Sequence, residues 1–398
     1  MIFVAGSMTA GDDWLEHRGP TGQGVSEVKA APLNWTKSEN MKWRKELPGK
    51  AWSTPVVKDG RIYLTNATEE NWGISLRALC LDLETSKIIW DREVFKFKGD
   101  VIMHKKNSHA SSTPVIEDDR IYLHFGYQGT ACLSLDGKRL WENRNLYYDP
   151  THGNGGSPAI IKNMLVFHCD GEEETFITAL DKMTGEQLWK TDRKTIQSKK
   201  FSFGTPLLIE AGGKEQIISQ ASGAVFSYDL KGNEIWKFRY DGFSVVPKPL
   251  YKNGLVYISS GYARAKLYVI DPTGTGDVTE SHLKWMTDKD VPNNPSLLSI
   301  GDELYLQSDK GTISCLDAKT GEVHYQKKRL IRTSSASPVY AANKIYFTDE
   351  RGTTLVIAPG KEFKLLATND IEEPVLASMA IVDEKLLLRS EFALYCIE

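Results

Sequence analysis

Leu180-Asp181-Lys182-Met183-Thr184-Gly185-Glu186-Gln187-Leu188-Trp189 carries an apolar run into a polar turn and out again to an aromatic anchor. The same shape returns at residues 316–325 and 81–90, and more loosely at 228–236. Upstream of each copy lies a Ser/Thr-Pro step, an apolar run, a polar turn and a second run. Its clearest form is Ser53-Thr54-Pro55-Val56-Val57-Lys58-Asp59-Gly60-Arg61-Ile62-Tyr63-Leu64. It recurs from Ser112 and from Ser337, and degraded copies begin at Pro158, Pro206, Pro249, Pro295 and Met379. Eight copies spaced by roughly 40–50 residues indicate an array. Each holds short β-branched and aromatic runs separated by Asp-Gly, Asn-Gly or Thr-Gly turns, which is strand and hairpin chemistry without a helical period. Four strands per unit make a propeller blade. The fold expected is an all-β, eight-bladed β-propeller.

The two ends of the chain fit each other. The eighth copy, from Leu376 to Glu398, stops before its outer strand, while residues 40–47 around Trp43 read as an anchor strand with no blade before it. The N-terminal strand is therefore expected to complete the last blade, removing two exposed sheet edges. Residues 1–32 form a leader and residues 33–398 the propeller.

Composition narrows the partners. Formal net charge is −3 over 398 residues with acids and bases interspersed, so no basic stripe proposes nucleic acid or a membrane surface. No stretch approaches the roughly 18–20 apolar residues of a membrane span. Residues 1–10 are apolar and end in small residues, as the tail of a secretion signal would, but lack a basic n-region and a lipobox cysteine. A periplasmic or secreted monomer is the expectation. Cys80, Cys315 and Cys396 share one repeat position, Cys132 is placed two residues earlier on that face, and Cys169 stands apart. A cysteine recurring at one blade position acts as a small buried hydrophobe. Trp43, Trp90, Trp141, Trp189, Trp236 and Trp285 hold the anchor position, where a ring packs between blades and its N–H finds a carbonyl. Trp14, Trp52 and Trp72 fall outside it and are better placed for ligand or partner contact.

Equivalent positions in every blade point at one axis, so departures from the repeat just before the innermost strand mark the channel mouth. The candidates there are His109, Ser111, His152, Asn154, Ser202, Ser244, Lys248, Asn293, Arg332 and Ser334. His109 and His152 have the chemistry for a metal or for acid–base work, or each caps a loop. A third metal ligand would have to come from His124, His168 or Asp170, all beyond the second strand of their blades. Lys248 and Arg332 suit a carboxylate or phosphate, or are solvated surface cations. The acidic run 170–174 reads as a hairpin tip, and 271–277 as a lengthened turn with a calcium-loop composition.

These repeats, with Leu180–Trp189 as the best example, resemble the pyrroloquinoline-quinone (PQQ)-type, BamB-like β-propeller repeat over about residues 33–398. The segment 14–26, with its Trp, Arg-Gly-Pro and Gly-Val-Ser elements, resembles the leader before such propellers in environmental bacteria. The resemblance implies two kinds of function. Quinoprotein dehydrogenases hold PQQ and calcium at the ring centre with a Trp floor, an Asp base and often adjacent cysteines; BamB-type members dock protein. Here there is no Cys-Cys pair and no recurring Trp-plus-Asp set. The residues therefore read as a non-enzymatic binding or scaffold module for a protein partner or small molecule, with no cofactor expected. The alternative is a small-molecule or metal-assisted enzyme centred on the channel mouth.

Overall fold

The computed structural model describes residues 13–99, 103–262 and 264–398; the signal-like stretch 1–10 lies outside them. Eight sheets surround one axis, each of four antiparallel strands. Blades 1 to 7 span residues 56–97, 115–143, 159–192, 207–239, 250–287, 298–327 and 339–370, each running from innermost to outermost strand. Blade 8 takes three strands from residues 380–397 and its outermost from Met41–Glu46, which pairs antiparallel with Ala393–Ile397. The ring is closed as the sequence reading required. Gly276–Asp277 adds a short parallel fifth strand to blade 4, so the stretch 271–277 both lengthens a turn and reaches back to the neighbouring blade.

Blade-to-blade packing follows from the anchor. The Nε1 of Trp43, Trp90, Trp141, Trp189 and Trp285 donates to the carbonyl of Leu83, Leu135, Lys182, Leu230 and Ala318 in the next blade, at 2.8–3.2 Å. The indole thus buries its ring and satisfies its one donor in the same contact. Trp236 differs because the next turn is the long one: its N–H goes to Gln216 Oε1 at 2.8 Å, and Gln216 Nε2 relays to the Pro272 carbonyl at 3.1 Å.

The cysteines sharpen the repeat. Cys80, Cys132, Cys315 and Cys396 each pair across to a Tyr or Leu on the second strand and to the Trp or Tyr anchor on the fourth. Cys132 therefore shares the position of the other three; the sequence offset arose because Ser134 stands where the other turns place Asp. All five cysteines are free and buried.

Antiparallel strands put successive connections at alternate ends. The connections from outermost to next innermost strand, and the middle hairpins, share one face, the loop face. The leader lies at the opposite end of the channel. Trp14 bridges Val57 of blade 1, the Leu15 carbonyl accepts from Ile116 N–H of blade 2, and Val25 bridges Tyr340 of blade 7. Trp14 and Arg18 are completely enclosed, and the Arg18 guanidinium donates to the carbonyls of Pro338, Leu297 and Gln23 at 2.6–2.9 Å. Trp14 is thus a packing anchor of the leader rather than an exposed contact. Among the described residues no helix is long and apolar enough to cross a membrane.

Candidate functional site

The Ser/Thr-Pro step of each repeat builds a belt around the channel. Thr54 N–H donates to Thr113 Oγ1, Thr113 N–H to Ser157 Oγ, and Ser157 N–H to Thr205 Oγ1, at 2.9–3.3 Å. Lys248 interrupts the hydroxyls, and the chain resumes from Lys248 N–H to Ser296 Oγ, to Ser337 Oγ and to Ser378 Oγ at 2.9–3.0 Å. The following proline in six of the eight copies holds the belt residue extended and has no N–H of its own to satisfy. In blade 6 the belt residue is Ser296, so Leu297 takes the proline's place and Pro295 precedes the belt.

Side chains alternate along an extended chain. The residue two before the belt therefore faces the channel again, and in this way Trp52, Ser111, Phe203, Asn294, Ser335 and Leu376 line it above the belt. Over blades 2 to 5 the mouth opens into a cavity of about 280 Å³. Its aromatic part is continuous: Phe201 meets Phe203 at 6.0 Å and Phe243 edge-on at 6.3 Å, and Phe243 stacks on Tyr262 at 6.4 Å. Trp52 closes the other side. The polar part is His104, Asn107, Ser111, His152, Lys199 and Ser244. Lys199 Nζ lies 4.4 Å from the Phe243 ring centroid, a cation held by the ring's negative face. Lys106, from the connection between blades 1 and 2, pairs with Glu350 of blade 7 at 2.7 Å, spanning the mouth.

Three of the ten candidates, Ser111, His152 and Ser244, line this cavity. Lys248 belongs to the belt, and its Nζ points down to the leader, 3.6 Å from Glu16 Oε2 and 3.5 Å from the His17 carbonyl. The other six are elsewhere. His109 packs on Phe97 at 5.4 Å, and His104, not His109, is the partner of His152, at 5.5 Å. The sequence pairing of His109 with His152 is corrected accordingly. His152 also meets Phe201 at 4.8 Å, and burial, then His104, lowers its pKa. Asn154 accepts from Tyr148 in the wall, Asn293 donates to Asp309, and Arg332 is exposed, its backbone N–H donating to Asp349 and its carbonyl accepting from Ser334. Ser202 and Ser334 are buried and point away from the axis.

Ser202 belongs to a buried network beside the channel. It donates to Asp170, which also receives Arg193 Nη1 at 2.8 Å with both side chains wholly enclosed. Arg193 further bonds Ser219 and the Gln220 carbonyl, and His168 Nε2 stands 3.3 Å from Ser202. Burial raises the pKa of Asp170 against the opposing pull of Arg193 and holds His168 well below its ordinary value. The acidic run does form a hairpin tip, at residues 171–174 between the strands Met164–Asp170 and Thr175–Asp181, while Asp170 itself ends the first strand as half of a wall ion pair.

The residues missed from sequence are His104, Lys199, Phe201, Phe203, Phe243, Tyr262, Asn294 and Ser335. For several the signal was present as phase. Counting back two from the belt selects Phe203, Asn294 and Ser335, whereas Ser202, Asn293 and Ser334 are one residue out and face the wall.

The family described as "Outer membrane protein assembly factor BamB" matches residues 34–154, 80–327 and 174–389. Curated protein sequences give no match. Among solved structures, BamB from Moraxella catarrhalis aligns with TM-score 0.63 at 13% identity, covering 90% of this chain and 99% of that one. A europium-containing methanol dehydrogenase aligns with TM-score 0.71 at 11% identity, covering 96% and 90%. Quinohemoprotein alcohol dehydrogenase from Comamonas testosteroni aligns with TM-score 0.71 at 12% identity, covering 97% and 80%. At these identities the likeness to the solved structures is one of fold.

Proposed function

The chain belongs to the BamB-type family of PQQ-like repeat propellers, and from that premise we propose that it is a non-catalytic docking propeller, taking an apolar or aromatic side chain of a partner protein into its loop-face cavity. The observation that carries this reading is the mouth itself: Trp52, Phe201, Phe203, Phe243 and Tyr262 around about 280 Å³. Small-molecule sites run from about 300 to 1,000 Å³, so the space lies at the lower edge of that range and is ample for one anchor side chain. A pocket that desolvates a single anchor is where protein interfaces concentrate binding energy.

The quinone reading asks for more than this lining offers. Calcium takes roughly six to eight oxygen ligands, carboxylates usually among them, and no Asp or Glu lines the cavity among the described residues. The carboxylates behind it are committed, Asp309 to Asn293 and Asn294, Glu350 to Lys106 and Ser335. The residues present do not fit PQQ held by calcium, and no step is drawn through it. An exported monomer remains part of the proposal, checked by compartment fractionation and by mass in solution.

The test is a selection of displayed random peptides on the intact chain, with counter-selection on the F201A/F243A variant. Enrichment of peptides sharing one aromatic or aliphatic anchor supports the reading. Enrichment that survives counter-selection equally well, or none at all, sinks it.

A further inference from the structure

The belt itself has donors left over. Thr113, Ser157, Thr205, Ser296, Ser337 and Ser378 each spend a lone pair accepting a backbone N–H from the preceding blade. None of these hydroxyls donates to a protein acceptor among the described residues. A hydroxyl has one proton to give, and all six line a cavity of about 110 Å³ that continues down from the aromatic mouth, sharing Trp52, Ser111, Phe203, Asn294, Ser335 and Leu376 with it. A buried O–H that finds no acceptor loses its full solvation, so something inside the void accepts.

The floor of the void is positive. His17 of the leader lines it, and the buried Nδ1 of that ring has no partner. Just below lie two enclosed cations, Arg18 and Lys248. Arg18 is met by backbone carbonyls alone, and the one carboxylate at hand, Glu16, stands 3.6 Å from Lys248. Two cations against one anion leave a net positive charge, and because Arg18 and Lys248 are themselves enclosed it is weakly screened. No Asp or Glu lines the void among the described residues.

We propose that this belt is a binding site for a small inorganic anion, a halide or a compact oxyanion, held by the converging hydroxyl protons above Arg18 of the leader and Lys248 of the belt. The leader is then part of the site, because it spans this end of the channel and sets Arg18 beside Lys248 of the belt. The inference does not rest on the docking proposal: the belt lies below the aromatic mouth and its occupant needs no partner protein.

The test uses the intact chain. Crystals grown in bromide and in phosphate are compared by anomalous scattering and by the shape of the density on the axis. A bromide peak within hydrogen-bond distance of the belt hydroxyls identifies a halide site, and tetrahedral density in phosphate an oxyanion site. In solution, the unfolding midpoint is followed against bromide and phosphate, with gluconate holding ionic strength constant. The midpoint should climb with the logarithm of the bound anion's concentration, and S157A/S337A should weaken that anion roughly tenfold or more by removing two charge-assisted hydrogen bonds. Water-like density in both salts, or a crystal peak without any anion dependence in solution, overturns the proposal. If the double variant does not fold, the two measurements on the unaltered chain decide.

Discussion

Replacing Gly185 by alanine should cost far more than replacing Gly60, although both sit in turns with similar left-handed backbones, φ +77° and +70°. The backbone penalty for an L side chain there is roughly 1–2 kcal/mol, partly offset because alanine stiffens the unfolded chain by about 0.4–1 kcal/mol. Those two contributions are common to both sites. The difference is what the new methyl meets: at Gly60 nothing lies within 4 Å, whereas at Gly185 the Trp141 ring of the preceding blade lies 2.5 Å away. Overpacking of that kind costs typically about 1–3 kcal/mol, so G185A should exceed G60A by that amount. The assay is urea unfolding with the slope held common, reading the midpoint. Gly232 and Gly321, 2.6 Å from Trp189 and Trp285, should follow Gly185, and Gly137, 3.0 Å from Trp90, should fall between. A double-mutant cycle of G185A with W141F should show coupling above about 0.5 kcal/mol. Equal losses at Gly60 and Gly185, or strict additivity in the cycle, would refute the claim that the anchor ring seated on the next blade's turn glycine joins the blades.

Three further outcomes follow from named contacts. Burial pushes the pKa of His124 down to about 3 and holds His168 well below its ordinary value, Arg193 adding to the latter. Both stay neutral in the fold and gain protons only on unfolding, so their contribution is fully present above about pH 6.5 and is lost as pH falls toward 3. For His124 alone that is about 2 kcal/mol by about pH 5, and H124Q should flatten the fall in urea midpoint. R193M strands the enclosed Asp170 carboxylate and should cost about 3–5 kcal/mol, with the D170N/R193M pair recovering part of it in thermal scans. R18K removes a planar fork from three carbonyls that an ammonium cannot reach together; it should lower the midpoint and raise proteolysis within residues 14–26, and unchanged cleavage would count against the leader as a fixed stopper.

The ring and its closure were legible because they are periodic. A blade repeats its turn chemistry eight times, and Trp43 announced a strand without a blade. What failed was phase and distance. Taking Pro295 as the repeat mark misplaced blade 6 by two residues, since Ser296 rather than the proline keeps the belt register. A separate one-residue error of phase selected Ser202, Asn293 and Ser334 in place of Phe203, Asn294 and Ser335, because one residue along an extended chain turns every side chain to the other face. The mouth-spanning Lys106–Glu350 pair joins positions 244 apart and leaves no local pattern. Nor did sequence show that the leader would seal the channel, because Arg18 binds backbone carbonyls, which every residue carries.

The docking claim is met most directly by calorimetry on the intact chain with a peptide drawn from the selection, titrated into the unaltered protein and into F243A. If the anchor sits among Phe201, Phe243 and Tyr262, truncating that ring should weaken binding by about 2 kcal/mol, roughly thirtyfold, with the heat-capacity change of binding becoming less negative. Equal affinity for both proteins would place the contact elsewhere and contradict the account.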